Sequence, residues 1–279
     1  MRDHQTTKLA EDFIYLEAPK WRGDRLWMSD VFDRKLCRIG LNGEREHICD
    51  VAGRPSGIAF LKDGTALVVS SENRRLYKVV DNALVEYADL TPHTNGDVND
   101  LTVDSADRLY VGDFGYDLFA GEELKPTVIN RVDPDGTITP VADGVEFPNA
   151  MVIINGGKTL VVAETWASRL TAFDLSEDGT LSNRRLFADL GHRQPDGICA
   201  DAEGAIWIAS FNTGEFIRVL DGGTFTDRAA HEGIAVACTI GGPDGKTLFC
   251  TVYGGTLEDV IGGKRLGSVH AVTVDVGAP

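Results

Sequence analysis

The sequence is poor in sulfur and in positive charge, and it has no long apolar run. Its five cysteines, at 37, 49, 199, 238 and 250, are odd in number and show no CxxC or other paired metal spacing. A cysteine metal site and a full disulfide framework are therefore not expected. Cys199, Cys238 and Cys250 fall in apolar strand stretches, which points to buried reduced thiols and a reducing, cytoplasmic setting. Lys and Arg number 27 against 43 Asp and Glu, a formal net charge of −16. Such a field repels phosphate backbones, so no nucleic-acid partner is expected. No run approaches the roughly 20 apolar residues that span a bilayer, and the opening MRDHQTTKLAEDF has neither an apolar core nor a cleavage site. Neither a membrane partner nor a signal peptide is expected. No segment keeps an amphipathic helical period for three turns, and there is no GxSxG elbow, P-loop or nicotinamide, flavin or haem fingerprint. The DFG triplet at 113–115 lacks the other kinase motifs and carries no weight.

What the chain does have is a repeat. Six times a turn signal, Asp-Gly or a close variant, precedes a short apolar strand: GDRLWMSD (23–30), DGTALVVSS (63–71), ADRLYVGD (106–113), GGKTLVVAE (156–164), EGAIWIAS (203–210) and DGKTLFCTV (244–252). The copies lie about 40 to 50 residues apart, the period of a propeller blade. The expectation is an all-β, six-bladed propeller with a central metal site, one domain over residues 1–279. A further strand signal follows each copy, such as RRLYKVVD (74–81) and SRLTAFDL (168–175), with Arg or Lys marking a solvated face. Ring closure needs a strand from the other terminus, and FIYLEA near residue 15 and SVHAVTVD near 271 are the candidates to share a blade. The stretch 113–124 reads as a long loop able to cover part of a cavity.

About seven residues before each turn an equivalent position recurs, occupied by Glu17, Ser56, Asn99, Asn149, Asp196 and Ala237. Each alone is an ordinary turn or strand-start residue. At a shared offset, Glu17, Asn99, Asn149 and Asp196 would open the innermost strands of four blades and converge on one axial cavity. Two carboxylates and two amide oxygens make a hard donor set, suited to Ca²⁺, Mg²⁺ or Mn²⁺ with water completing the shell. Without a cation the two carboxylates repel and one pKa rises. Ser56 and Trp166 are candidate substrate contacts; Trp21, Asp113, Phe114 and Phe211 are candidates for the cavity wall. Glu164 ends a strand and reads equally as a solvated edge. His93 and His231 are assigned no metal role.

The phrases EAPKW (17–21), NDLTVD (99–104), FPNAMVI (147–153) with VVAETWASRL (161–170), and PDGICADAEGAIWIAS (195–210) resemble the gluconolactonase/regucalcin family of six-bladed propellers. That family also includes the luciferin-regenerating proteins, and ACTIGG at 237–242 extends the likeness to the last blade. The resemblance implies one divalent cation on the axis, Ca²⁺ first and Mg²⁺, Mn²⁺ or Zn²⁺ as alternatives. Its ligands would be Glu17, Asn149 and Asp196, with Asn99 beside it on the metal or the substrate. It also implies opening of a small lactone by metal-activated water, with Asp196 as general base, helped by a second group, and Asn99 as a further catalytic residue. Two departures stand out. Asp97 occupies the place where sugar lactonases of the family often carry a substrate-contacting Arg, and Ala150 follows the PN pair where Gly is common. Asp97 therefore joins Asn99, Ser56 and Trp166 as a candidate substrate contact and directs attention to a lactone or ester other than gluconolactone. The residues leave other classes open: hydrolysis of phosphoester-type compounds, calcium or ligand binding without catalysis, and a protein scaffold.

Overall fold

The turn-and-strand repeats place β-branched and aromatic residues in short runs between Gly and Asp turns, and those runs become the strands of six antiparallel sheets. The computed structural model describes residues 1–279. The chain forms a six-bladed β-propeller, as the repeat predicts. The innermost strands are Leu16–Arg22, Pro55–Phe60, Val98–Val103, Pro148–Ile154, Pro195–Ala200 and Ile234–Gly241. Each packs against the inner strands of the two neighbouring blades, and Ile234–Gly241 packs back on Leu16–Arg22, which closes the ring.

The core lies between the blades. Six hydrophobic clusters occupy the six blade interfaces; the largest joins Leu170, Phe187 and Leu190 of the fourth blade to Ile206, Ile208 and Ile217 of the fifth. A central strand therefore buries both faces. Ala66–Ser70 and Ile206–Ser210 are buried at every position, which is why the sequence shows continuous apolar runs there rather than alternation. All five cysteines are buried free thiols.

Closure differs from the expected pairing. The N-terminal strand that pairs with Gly267–Thr273 is Thr7–Phe13, not FIYLEA. Leu16 and Glu17 instead open the inner strand of the first blade, which the closing function cannot also use. A second N-terminal strand, Arg2–His4, adds in parallel to the edge strand Phe225–Ala230 of the fifth blade. Asp227 on that edge accepts hydrogen bonds from Arg2 Nε at 2.8 Å and lies 2.9 Å from His4 Nε2. The single α-helix, Leu257–Ile261, has five residues, and no helix is long and apolar enough to cross a membrane. Its start is encoded by Thr256 and Asp259, which form a capping box.

Candidate active site

Each inner strand slips register at the place marked by the sequence repeat. The shifts fall between Glu17 and Lys20, Pro55 and Ile58, Val98 and Leu101, Pro148 and Met151, Pro195 and Ile198, and Ala235 and Ala237. A bulge interrupts the two-residue alternation and re-aims a side chain. Pro55, Pro148 and Pro195 begin their strands, where an edge strand facing an axis needs no N–H from them. The glycine after the ring position is steric in origin. A Cβ on Gly197 would lie 2.2 Å from the Ala237 Cβ, and one on Gly57 would lie 2.9 Å from the Asp100 Cα. Ala150 holds the corresponding place in the fourth blade as a buried part of the interface with the fifth.

Five of the six ring positions open into one cavity of about 280 Å³: Glu17, Ser56, Asn99, Asn149 and Asp196. Trp166, Phe114 and Phe211 line it as well, and so do Leu118 and Phe119 of the long loop. Ala237, Trp21 and Asp113 do not. Trp21 stacks on Phe249 between blades at 5.3 Å, and Asp113 accepts from Gly115 N and Thr127 Oγ1 inside the third blade. Asp97 is not a lining residue either. It stands before the bulge of its strand and turns its carboxylate to Arg54 Nη2. Arg54, from the neighbouring blade, is the residue that reaches the cavity. Glu164 is no solvated edge: it is fully buried and pairs with Arg169 and Arg184.

The donors are tied together. Asn149 Nδ2 donates to Asp196 Oδ1 at 2.8 Å, and to Thr165 Oγ1 at 3.2 Å. Thr165 Oγ1 donates to the Pro195 carbonyl at 2.8 Å, and Asn99 Nδ2 to the Pro148 carbonyl at 3.3 Å. Burial pushes the Asp196 carboxyl up to about 7, against the Asn149 hydrogen bond and with the help of Asp100. Burial also pushes Glu17 well above its ordinary value, and the negative fields of Asp196 and Asp100 add to it while Arg54 opposes.

Several residues of this site carry little signal in the sequence, Arg54, Phe147 and Thr165 among them, and two bear directly on the donors. Tyr15 lines the cavity, and burial followed by the fields of Asp196 and Glu17 raises its pKa. Its only signal is its place two residues before Glu17. Asp100, the second residue of the ND pair, is a buried carboxylate whose field reaches both Glu17 and Asp196. Its signal was the motif itself.

The site fits a cation by its charge and its chemistry. Asp100 and Asp196 are buried and Glu17 is half-buried, and Arg54 is the one basic residue among the lining side chains. That guanidinium is already engaged by Asp97 and lies 2.9 Å from Glu72 Oε1 at its Nε. A divalent ion among oxygen donors would neutralise the excess negative charge. No three His, Cys, Asp or Glu side chains converge to hold a metal anywhere in the chain, so amide oxygens must complete the set. Asn149 Oδ1 accepts from Ala150 N at 2.9 Å, which leaves that oxygen a second lone pair for ligation.

The profile of the SMP-30/Gluconolactonase/LRE-like region matches residues 16–254. The chain belongs to this family. Among its relatives, the pentonolactonase XacC of Haloferax volcanii is 29% identical over 248 residues, 86% of this chain and 81% of that protein. Regucalcin of Xenopus laevis is 24% identical over 258 residues, 87% of this chain and 84% of the relative. The crystal structure of regucalcin from Agrobacterium tumefaciens, a calcium-binding protein, superposes with a TM-score of 0.84 at 22% identity, covering 100% of this chain and 96% of that one.

Proposed function

We propose that this protein is a divalent-cation-dependent lactonase. The observation that carries the reading is the convergence of four oxygen donors, delivered by bulges on four blades, into one cavity. The pentonolactonase name of a relative 29% identical to the chain supports the same reaction class. Glu17, Asn149 and Asp196 would hold the cation, with Asn99 beside it. A cation bound there supplies Lewis-acid polarisation of the lactone carbonyl and a more acidic water.

The chain's own residues do the rest. Asp196 has one carboxylate oxygen engaged by Asn149, and its other oxygen accepts the proton of the attacking water. Water adds to the carbonyl carbon, the ring C–O bond breaks, and the departing oxygen takes a proton to give a hydroxy acid. The amide of Asn99, buried beside the donors, orients the carbonyl. Phe114, Phe147 and Trp166 exclude bulk water from one side of the cavity.

The test is acid release in weak buffer by EDTA-stripped protein, with and without added Ca²⁺, Mg²⁺, Mn²⁺ or Zn²⁺, across γ- and δ-lactones. Cation-dependent acid production is the expected result. Silence across the panel, with cation binding still measured by calorimetry, would overturn the catalytic reading and leave a binding protein.

A further inference from the structure

Most of the hydroxyls and the indole of the cavity walls, away from the axial donors, are committed inside the protein. Ser71 Oγ donates to the Val98 carbonyl at 2.6 Å and Thr165 Oγ1 to the Pro195 carbonyl at 2.8 Å, and Ser56 Oγ donates to the Asn99 carbonyl. Arg54 is held between Asp97 and Glu72, and its guanidinium carbon lies 3.9 Å from the centre of the Phe119 ring. Trp166 Nε1 donates to Tyr116 Oη at 2.8 Å, so the indole offers no free donor. A polyhydroxylated lactone entering here would lose water at each hydroxyl and find few partners, which is strongly unfavourable.

The remaining surface is apolar, with twelve hydrophobic residues among the twenty that line the cavity. Phe114 and Phe147 stack at 4.6 Å with 10° between their planes, and Trp166 leans on Phe147 at 5.0 Å. Phe147 adopts a φ of 49°, a left-handed conformation that a bulky side chain holds only under constraint. The wall is thus built at a conformational cost. The apolar surface continues outward to Phe119, Leu257 and Ile261, which line the cavity and yet are 53%, 51% and 69% exposed. Exposed large side chains continuous with an apolar cavity mark a binding surface.

We propose that this cavity takes a neutral lactone bearing an aromatic ring or an alkyl chain of several carbons. Its carbonyl would sit at the axial donors, and its apolar body would lie along Phe114, Phe147 and Trp166 toward the rim. The proposal rests on the lactonase reading above and names the substrate class of that site.

The test compares kcat/KM of the cation-loaded protein for D-glucono-δ-lactone, D-xylono-γ-lactone, dihydrocoumarin and γ-lactones with chains of one to eight carbons. Each methylene buried should raise kcat/KM about fourfold until the chain reaches the rim. The sugar lactones should trail dihydrocoumarin by about a hundredfold or more. Ile261→Glu and Phe119→Ser alter exposed positions of the rim; each should lower the ratio of kcat/KM for the longest chain to that for the shortest about fivefold or more. A flat chain dependence, or sugar lactones at or above the alkyl series, would overturn the proposal while the lactonase reading survives. If no lactone turns over, calorimetry with δ-valerolactam and its 6-alkyl derivatives separates the two ideas. Affinity that rises with chain length would sustain the apolar specificity and end the hydrolase reading; no binding would end both.

Discussion

Asn149 and Asp196, from adjacent blades, are joined by a 2.8 Å hydrogen bond from Nδ2 to Oδ1, and both are buried. The bond crosses a blade interface, so the donor set is held by the ring as a whole rather than by one loop. The second Asn149 bond, to Thr165, continues the link to the Pro195 carbonyl. A change at either residue therefore acts on the same unit.

Asp196→Ala removes a carboxylate, a bridging acceptor and the proposed base together. Divalent-cation binding by stripped protein should vanish in calorimetry, and lactone turnover should fall by about a thousandfold or more. Wild-type turnover in this variant would sink the mechanism. The cation-free protein should respond in the opposite sense to Asp196→Asn. One of three crowded carboxyls is removed, so above about pH 7, where Asp196 is ionised, this variant should unfold later than cation-free wild type, by on the order of 1 kcal/mol in differential scanning calorimetry. Saturating cation should restore the advantage to wild type.

Gly197 follows Asp196 at the closest approach of the fifth and sixth blades. Its missing side chain leaves room for the Ala237 Cβ, which an alanine Cβ at 197 would meet at 2.2 Å, with the Val236 carbonyl at 3.1 Å. The backbone there cannot yield without opening the ring. Gly197→Ala should cost about 2 kcal/mol or more, read as a lowered midpoint in urea unfolding. An unchanged midpoint would show that the ring is looser than its packing indicates.

The blades were legible because each carries its own turn and its own apolar run, two signals of short range. The ring of donors was legible because the bulge recurs at a constant distance from the turn, so Glu17, Asn99, Asn149 and Asp196 share an offset and Ala237 shows where the pattern lapses. Closure was read one strand too far along. Thr7–Phe13 shows no two-residue alternation of burial and lacks the β-branched density of the central strands, so its pairing is decided by what remains unpaired at the last blade. The Arg54–Asp97 pair joins residues 43 apart in different blades, and nothing local marks it. Asp97 was therefore set against a substrate, whereas the fold sets it against an arginine.

That pair yields its own prediction. Arg54 is largely buried, with its side chain 11% exposed, while Asp97 and Glu72 remain partly open to solvent at 25% and 35%. Asp97→Ala leaves the guanidinium with Glu72 alone and should cost about 1–2 kcal/mol. Asp97→Arg should cost more, because like charges then meet, and it should not create activity toward sugar lactones. A double-mutant cycle with Arg54→Ala would read the coupling directly. Additive single and double effects would refute the interaction.

The closing seam should be sensitive to mild acid. His231 and His270 stand 4.5 Å apart between ring centres, where the N-terminal strands join the fifth and sixth blades. Thr6 Oγ1 lies 3.2 Å from His231 Nε2, and Ser268 Oγ lies 3.1 Å from His270 Nε2. Burial pushes His270 down to about 4, His231 and Lys8 add to the shift, and Glu11 opposes it. Burial lowers His231 as well. Both folded values lie below the ordinary 6.5 or so, so the unfolded chain takes up protons first as the pH falls. The stability in question is fully present above about pH 6.5 and is lost as the pH falls toward about 4. Discounted for partial solvation, His270 should contribute on the order of 1–2 kcal/mol to this loss. Asp227 acts in a lower window. Burial would raise it, but His4 and Arg2 hold it down to about 2, so its contribution fades only below about pH 4. The two effects therefore separate on the pH axis. Carboxyls held up by burial, Asp196 at about 7 and Asp113 at about 6, act in the opposite sense over the same range, so the difference between proteins is the readout: in thermal unfolding between pH 7.5 and 4.5, wild type should lose stability relative to His270→Gln as the pH falls. Equal slopes in the two proteins would remove the histidine pair from the account of closure.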